Sequence, residues 1–406
     1  MYRYNDKKLN RHYVYLDDDH NPLILPCLFA RYTQVLNFRV DSSSYQDETS
    51  NKIIYKFIEK EIGPDTSYKI CNHLGRFLEW VNEYNAIEQV NIYTHTALPD
   101  LVINEYINEF LINECSKSET VVNQAVNSIS SYYNWLVLFF GNKRKYIGVK
   151  TKFRAAARNN NKKSLAVNYL LPQTREIIYR NTNTLLQEVV LRNGAELGCR
   201  TMENRGFLLN DFKANQMQYS GILSLFEQLE SNDSQKEFKY HLPSLYTKYG
   251  RSRMLHIPRD LLQKMKRYYD LERPQSNSNH LLLANSGKTK GQCIDRSFGS
   301  NTFLLARRKV IEKINLGIDL YSGIQNITES NVYHHLRHSF GTDIFYNLCE
   351  GQNKSYESIT TTSGVYIETA RRLGHKVDGM HANETTKRYI HSCGYREHML
   401  KDVTYG

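Results

Sequence analysis

The strongest constraint on this chain is the run GNKRKYIGVKTKFRAAARNNNKK over 141–163, which holds nine basic residues and no acidic one. So dense a block of like charge repels itself and cannot be packed away as core. Its Asn-rich end adds the signature of a loop, so the run reads as a linker between two folded parts. Residues 1–140 hold 12 Lys+Arg against 18 Asp+Glu, a net of −6, although the whole chain carries +11. The remainder is therefore strongly basic, and a polyanionic partner is expected. At 406 residues the chain has room for two to three domains of about 150 residues each. A hydrophobic share of 40% with 23% charged residues excludes global disorder, and 8 Pro with 21 Gly excludes a collagen-like chain.

The most apolar run, WLVLFF at 135–140, is far short of the ~20 residues a spanning helix needs, and MYRYNDKKLN has no apolar signal core. No membrane partner is expected. Cys27, Cys71, Cys115, Cys199, Cys293, Cys349 and Cys393 are scattered, odd in number and never in a CxxC pair. Free thiols in a reducing, cytoplasmic setting are expected rather than a disulfide framework or a zinc site.

Periodicity divides the chain into four segments. In residues 1–50, YVYL-DDDHN-PLIL (13–25) reads as a hairpin in an N-terminal extension. Residues 51–145 read as a helical domain. There Pro64-Asp65 opens a stripe of Leu74, Phe77, Leu78 and Val81, and a second helix (118–140) aligns Val122, Val126, Ile129, Tyr133 and Leu136. The basic linker occupies 146–164. Residues 165–406 are mixed, with a helix over 172–192 and strands near 205–212, 238–246 and 252–257. Pro258 then starts a helix, and further helices follow at 301–316, 334–348, 364–374 and 383–391. The expected class is mostly α with a small antiparallel β-sheet.

Within 165–406 several polar residues sit beside apolar helical faces. Arg200 follows Gly-Cys and precedes Glu203; Lys248 lies in the turn TKYG between two strands; His334 and Arg337 stand at i and i+3, on one helical face. His375 ends a helix in RRLGH, and Tyr389 lies in TTKRYIH. Singly, each has an ordinary reading: a salt bridge, an exposed turn lysine, a helix cap, a packed tyrosine. Their order along one domain is what makes them informative.

That order resembles the tyrosine recombinase (phage integrase) family over most of 165–392. GCRTMEN is similar to its first-arginine motif, YTKYGRSR to its β-hairpin lysine motif, HHLRHSFGT to its His-x-Leu-Arg-His signature, and LGH with TTKRYIH to its last histidine and nucleophile. The resemblance implies a site-specific DNA recombinase or integrase that cleaves and rejoins DNA through a 3′-phosphotyrosyl link, integrating or excising a mobile element. Residues 51–145 would be its core-binding domain and 165–406 its catalytic domain. The roles implied are Tyr389 as nucleophile, Arg200 and Arg337 on the non-bridging oxygens, Lys248 as general acid, and His334 and His375 assisting, with Glu203 orienting the arginines. No metal or other cofactor is called for. Double-stranded DNA is the expected partner, bound by a homotetramer on two sites, with accessory DNA-bending or directionality proteins. The linker residues Lys143, Arg144, Lys145, Lys150, Lys152, Arg154, Arg158, Lys162 and Lys163 are expected on phosphates. The alternatives are a type IB topoisomerase or telomere resolvase with the same chemistry, and a non-catalytic DNA-binding regulator. Three departures stand out: an insertion at 214–237, a polar stretch at 350–363, and a long gap between His375 and Tyr389, which leaves Tyr395 as the nearest rival nucleophile.

Overall fold

The computed structural model describes all residues except 7–11, 47–52, 89–91, 161–168, 319–326, 379–380, 383–385, 387–391 and 399–406. The chain divides into two compact units, Met1–Leu165 and Ala166–Gly406. The fold is mostly α, and among the described residues the β structure is five two-stranded antiparallel pairs and three isolated bridges.

In the first unit β1 (Tyr2–Asp6) pairs with β2 (His12–Leu16). The N-terminal hairpin thus lies upstream of its expected place, with YVYL as its second strand. Asp17 Oδ1 then accepts the Asn21 backbone N–H at 2.8 Å, turning the chain into α1 (Ile24–Gln34). A second departure follows. β3 (Phe38–Gln46), in the expected N-terminal extension, pairs with β4 (Ile53–Glu61), which is strand where the helical domain was expected to begin. Most side chains of the ribbon face solvent and only Val40 is fully buried, so cross-strand pairing rather than an apolar helical face holds it. Beyond it come α2 (Pro64–Glu88), a 3-10 turn at Ile92–Ala97, and α3 (Asp100–Glu105) continuing as a π-helical stretch (Tyr106–Glu114); α4 (Glu119–Phe140) and α5 (Thr151–Asn159) complete the unit. The stripes expected in α2 and α4 are core, as are Tyr15, Phe29 and Val40. Described residues of the expected extension, among them Tyr13, Tyr15, Phe29 and Val40, therefore belong to this core.

The basic run is likewise fastened to the first unit rather than strung as a linker. Asn104 Oδ1 accepts from the Gly148 N–H and Asn108 Oδ1 from the Lys150 N–H, both at 2.9 Å. In α5, Phe153 and Ala157 stand at i and i+4 and bury against the core, while Arg154 and Arg158 face water. Lys162 and Lys163 lie outside the described residues.

In the second unit the expected helix over 172–192 is two, α6 (Pro172–Arg180) and α7 (Leu185–Glu196), because Thr184 caps the second by accepting the Gln187 N–H at 3.2 Å. The 3-10 turn Thr201–Gly206 follows. The 214–237 insertion is largely ordered, with the end of the hairpin β5 (Phe212–Ala214)–β6 (Met217–Tyr219) and the helix α8 (Ile222–Ser231). β7 (Glu237–Leu242) and β8 (Arg253–Pro258) flank the turn Lys248–Gly250, and Pro258 caps α9 (Arg259–Leu271). The remaining elements are α10 (Phe298–Asn315), α11 (His334–Gly351), α12 (Gly364–Arg372), and the short pair β9 (Val377–Asp378) and β10 (His381–Ala382). One core joins α6 through α10 to the start of α11. Helical residues 392–398 close on their own unit. Cys393 is buried with Phe345, Cys349 and Tyr366, and Arg396 Nε bonds Asp343 Oδ1 at 3.0 Å. Among the described residues no helix is long and apolar enough to cross a membrane, and all seven cysteines are free.

Candidate active site

The site is built where the turn after α7, the β7–β8 hairpin, the start of α11 and the end of α12 converge. Gly198, with φ +62°, turns the chain out of α7, and its missing Cβ makes room for the Phe340 ring of α11. The turn it delivers is self-locking: the Glu203 carboxylate accepts the Arg200 backbone N–H at 2.9 Å and Arg200 Nη1 at 2.6 Å. A buried amide chain fixes this turn to α11. Asn193 Nδ2 donates to Asn204 Oδ1 at 2.9 Å, Asn204 Nδ2 donates to the Tyr333 hydroxyl at 2.9 Å, and that hydroxyl donates to the Val190 carbonyl at 3.1 Å. Tyr333 immediately precedes His334, so the network sets where α11 begins.

Arg337 is fully buried, with Nη1 donating to the Gly198 carbonyl and Nη2 to the Leu373 carbonyl. Its Nη1 lies 3.9 Å from Glu203 Oε2, and its Nη2 lies 3.4 Å from His375 Nε2. A guanidinium only donates, so the facing Nε2 is the bare nitrogen and Nδ1–H donates to Thr386 Oγ1 at 2.9 Å. The His334 ring packs edge-on to His338 at 4.8 Å. Lys248 stands exposed in its turn, near enough for its charge to act on His334. A cavity of about 610 Å³, bordered by Arg251, Arg253, Arg371, His375 and Lys376, opens beside these groups.

The structure thus brings together Arg200, Glu203, Lys248, His334, Arg337 and His375. Tyr389 lies outside the described residues; Thr386, three positions before it, is described and touches His375. The sequence reading missed Asn204, Tyr333, Thr386 and, above all, Arg253, whose Nη2 donates to Glu203 Oε2 at 2.8 Å.

Charge follows from this packing. Burial alone would raise the Glu203 pKa, but Arg253, Arg337 and Arg200 override it and hold it at about 2. Desolvation, then Arg337 and Arg200, push His375 down to about 3. The same causes lower His334, joined by His335 and Lys248. Both site histidines are neutral at pH 7. The unfolded chain takes up these protons near pH 6.5 and the folded protein does not, so stability falls as pH drops below that value. For His375 the loss is about 1.4 kcal/mol per pH unit between pH ~6.5 and the folded value of about 3. Urea midpoints at pH 7.5 and pH 5 should show this fall, and His375→Gln should show a shallower one. Equal slopes for the two proteins would contradict it.

No protein-family model matches the chain, and no curated protein matches it by sequence. Solved structures do resemble it. A lambda integrase dimer bound to a COC′ core site matches 81% of this chain and 89% of its own, at 12% identity and a TM-score of 0.44. The Tn1549 transposon integrase in complex with a circular intermediate DNA matches 81% and 90%, at 13% identity and a TM-score of 0.47. The same integrase with transposon right end DNA matches 85% and 95%, at 11% identity and a TM-score of 0.46.

Proposed function

We propose that this chain is a tyrosine-type site-specific DNA recombinase, cleaving and rejoining duplex DNA through a 3′-phosphotyrosyl intermediate to integrate or excise a mobile element. The observation that carries the reading is the convergence of the Arg200, Arg253 and Arg337 guanidiniums on the buried Glu203 carboxylate, with neutral His375 against Arg337 and neutral His334 within reach of the charges of Arg337, Arg200 and Lys248, from four separate stretches of sequence. A phosphodiester under attack gains negative charge on its non-bridging oxygens, and fixed forked donors from Arg200 and Arg337 match it. Tyr389 supplies the nucleophile, and neutral His334 is in the right state to assist its deprotonation. Lys248, exposed on its turn, would protonate the leaving 5′ oxygen. When a phosphate enters, Thr386 Oγ1 can donate to His375 Nδ1 instead of accepting, which leaves Nε2–H to bond a non-bridging oxygen. The protein then acts as a homotetramer on two DNA sites in the cytoplasm, with accessory DNA-bending proteins. The test is incubation with a nicked duplex that loses its 5′-hydroxyl fragment after cleavage. A covalent protein–DNA band on a denaturing gel is expected, and its absence on duplexes from both flanks of the element overturns the reading.

On the basic run, side chains already paired within the chain are weaker candidates for DNA contacts than exposed ones. Lys145 Nζ is tied to the Leu98 carbonyl at 2.6 Å, Lys152 faces Glu109 at 3.8 Å and Arg158 faces Glu119 at 3.6 Å. The Arg144 guanidinium lies between Tyr55 and Tyr146, 3.4 and 4.4 Å from the ring centres. Lys143, Lys150 and Arg154 are exposed and have no ion pair among the described residues. If these three bind phosphates, neutralising them together should flatten the log–log salt slope of duplex binding by about 2.7. An unchanged slope would remove them from the interface.

A further inference from the structure

β8 alternates buried and outward side chains: Arg253, Leu255 and Ile257 face inward, Met254 is exposed and His256 half-buried. An aliphatic residue would fill the first inward position. The chain instead buries an arginine there, 6% exposed, against a carboxylate that is 1% exposed. Burying a guanidinium costs several kcal/mol unless its partners repay it. Here they do. Arg253 Nη2 donates to Glu203 Oε2 at 2.8 Å and to the Gly198 carbonyl at 3.2 Å; Nη1 donates to the Leu197 carbonyl at 3.3 Å and to that of Arg372. Its stem lies under Gly374, where a Cβ would sit 2.6 Å from Arg253 Cδ, so the LGH glycine is needed both for its φ of +65° and for this passage.

One side chain therefore touches the turn that carries Arg200, the carboxylate that orients it, and the end of α12 that delivers His375. Glu203 Oε2 already accepts from the Arg200 N–H and Arg253. Arg337 stands off at 3.9 Å. Without Arg253, that oxygen would be short of one charge-assisted donor, and the nearest replacement is Arg337. We infer that Arg253 is a positioning residue for phosphoryl transfer: by neutralising Glu203 and bracing the Arg372 carbonyl, it keeps Arg337 seated on the Gly198 and Leu373 carbonyls, the position from which it would act on the scissile phosphate, instead of letting it be drawn onto Glu203. It touches no reacting atom, and its role rests on the recombinase reading above.

The test compares single-turnover cleavage of two nicked duplexes, one with an ordinary scissile phosphate and one with a methylphosphonate. The methylphosphonate carries no net charge, so an arginine that acts on that charge matters less there. Arg253→Met should bind DNA within about threefold of the unaltered protein yet cleave the phosphate about 100-fold more slowly. On the methylphosphonate the defect should shrink to about threefold, as it should for Arg337→Ala. Adding Glu203→Gln to Arg253→Met removes the uncompensated carboxylate and should restore part of the phosphate rate. Should Arg253→Met fail to fold, Arg253→Lys carries the same comparison: it keeps the charge, so its phosphate defect should be smaller and should again shrink on the methylphosphonate. Equal defects on both duplexes, or a defect explained by lost DNA affinity, overturn the positioning role. An unaltered protein that forms no adduct overturns the recombinase reading and this role with it; an adduct with equal variant defects overturns this role alone.

Discussion

Tyr389→Phe is expected to fold and bind DNA like the unaltered protein and to form no covalent adduct at all. Only a hydroxyl is lost, so the packing change is small, but the atom that would bond to phosphorus is gone. With 30 tyrosines in the chain, the structure removes the nearest competitors unequally. Tyr366 is fully buried in the core beneath α12, with Phe345 and Cys349, and cannot reach a phosphate without unfolding its neighbourhood. Tyr333 is held at both ends of its hydroxyl by Asn204 and the Val190 carbonyl. Tyr395 is half-buried on the segment that Cys393 and Arg396 fasten to the same unit, and it remains the rival to exclude. The position of Thr386 on His375 brings the chain three residues before Tyr389 to the edge of the site. Trapping on the nicked duplex, digestion and peptide mapping identify the adduct. Label on Tyr395, or an adduct that survives in Tyr389→Phe, contradicts the assignment.

The parts of this site that were legible in the sequence are those that helix and turn geometry place by themselves. His334 and Arg337 share a face because they are three apart on a helix, and Glu203 reaches back to Arg200 because it is three residues on in a tight turn. Arg253 was not legible because, beside Arg251 in the basic stretch GRSRM, it reads as a second exposed cation, although the strand expected at 252–257 puts it in phase with Leu255 and Ile257. The strand begins only at Arg253, so one faces inward and the other stays exposed on the turn. The ribbon β3–β4 escaped notice for the opposite reason: with both faces of its outer part exposed, SSSYQ and its partner strand carry no buried alternation to read. Charge density hid the anchoring of the basic run. Its signal was Phe153 and Ala157 at i and i+4, two apolar residues among five cations in TKFRAAARNNNKK that the run's net charge outweighed.

Arg337→Ala should lose both chemistry and stability, and the two losses can be measured apart. The side chain is fully buried and supplies donors to the Gly198 and Leu373 carbonyls, the two peptide groups that end α7 and α12. Removing it strands these acceptors and takes one of three cations away from Glu203, whose low pKa depends on all of them. A destabilisation of about 3 kcal/mol or more is expected, of the size seen when one member of a buried ion cluster is deleted. Urea unfolding of the isolated variant reads this directly. Cleavage should fall by about 1,000-fold or more even at temperatures where the variant is folded, because a donor aimed at developing charge is worth about 100- to 1,000-fold and His375 loses its facing cation as well. Arg337→Lys separates the contributions. The ammonium keeps the charge near Glu203 but cannot span both carbonyls, so it should recover part of the stability and little of the cleavage. Recovery of cleavage in proportion to stability would mean that Arg337 serves the fold alone, and the two-arginine account of phosphate activation would then fail.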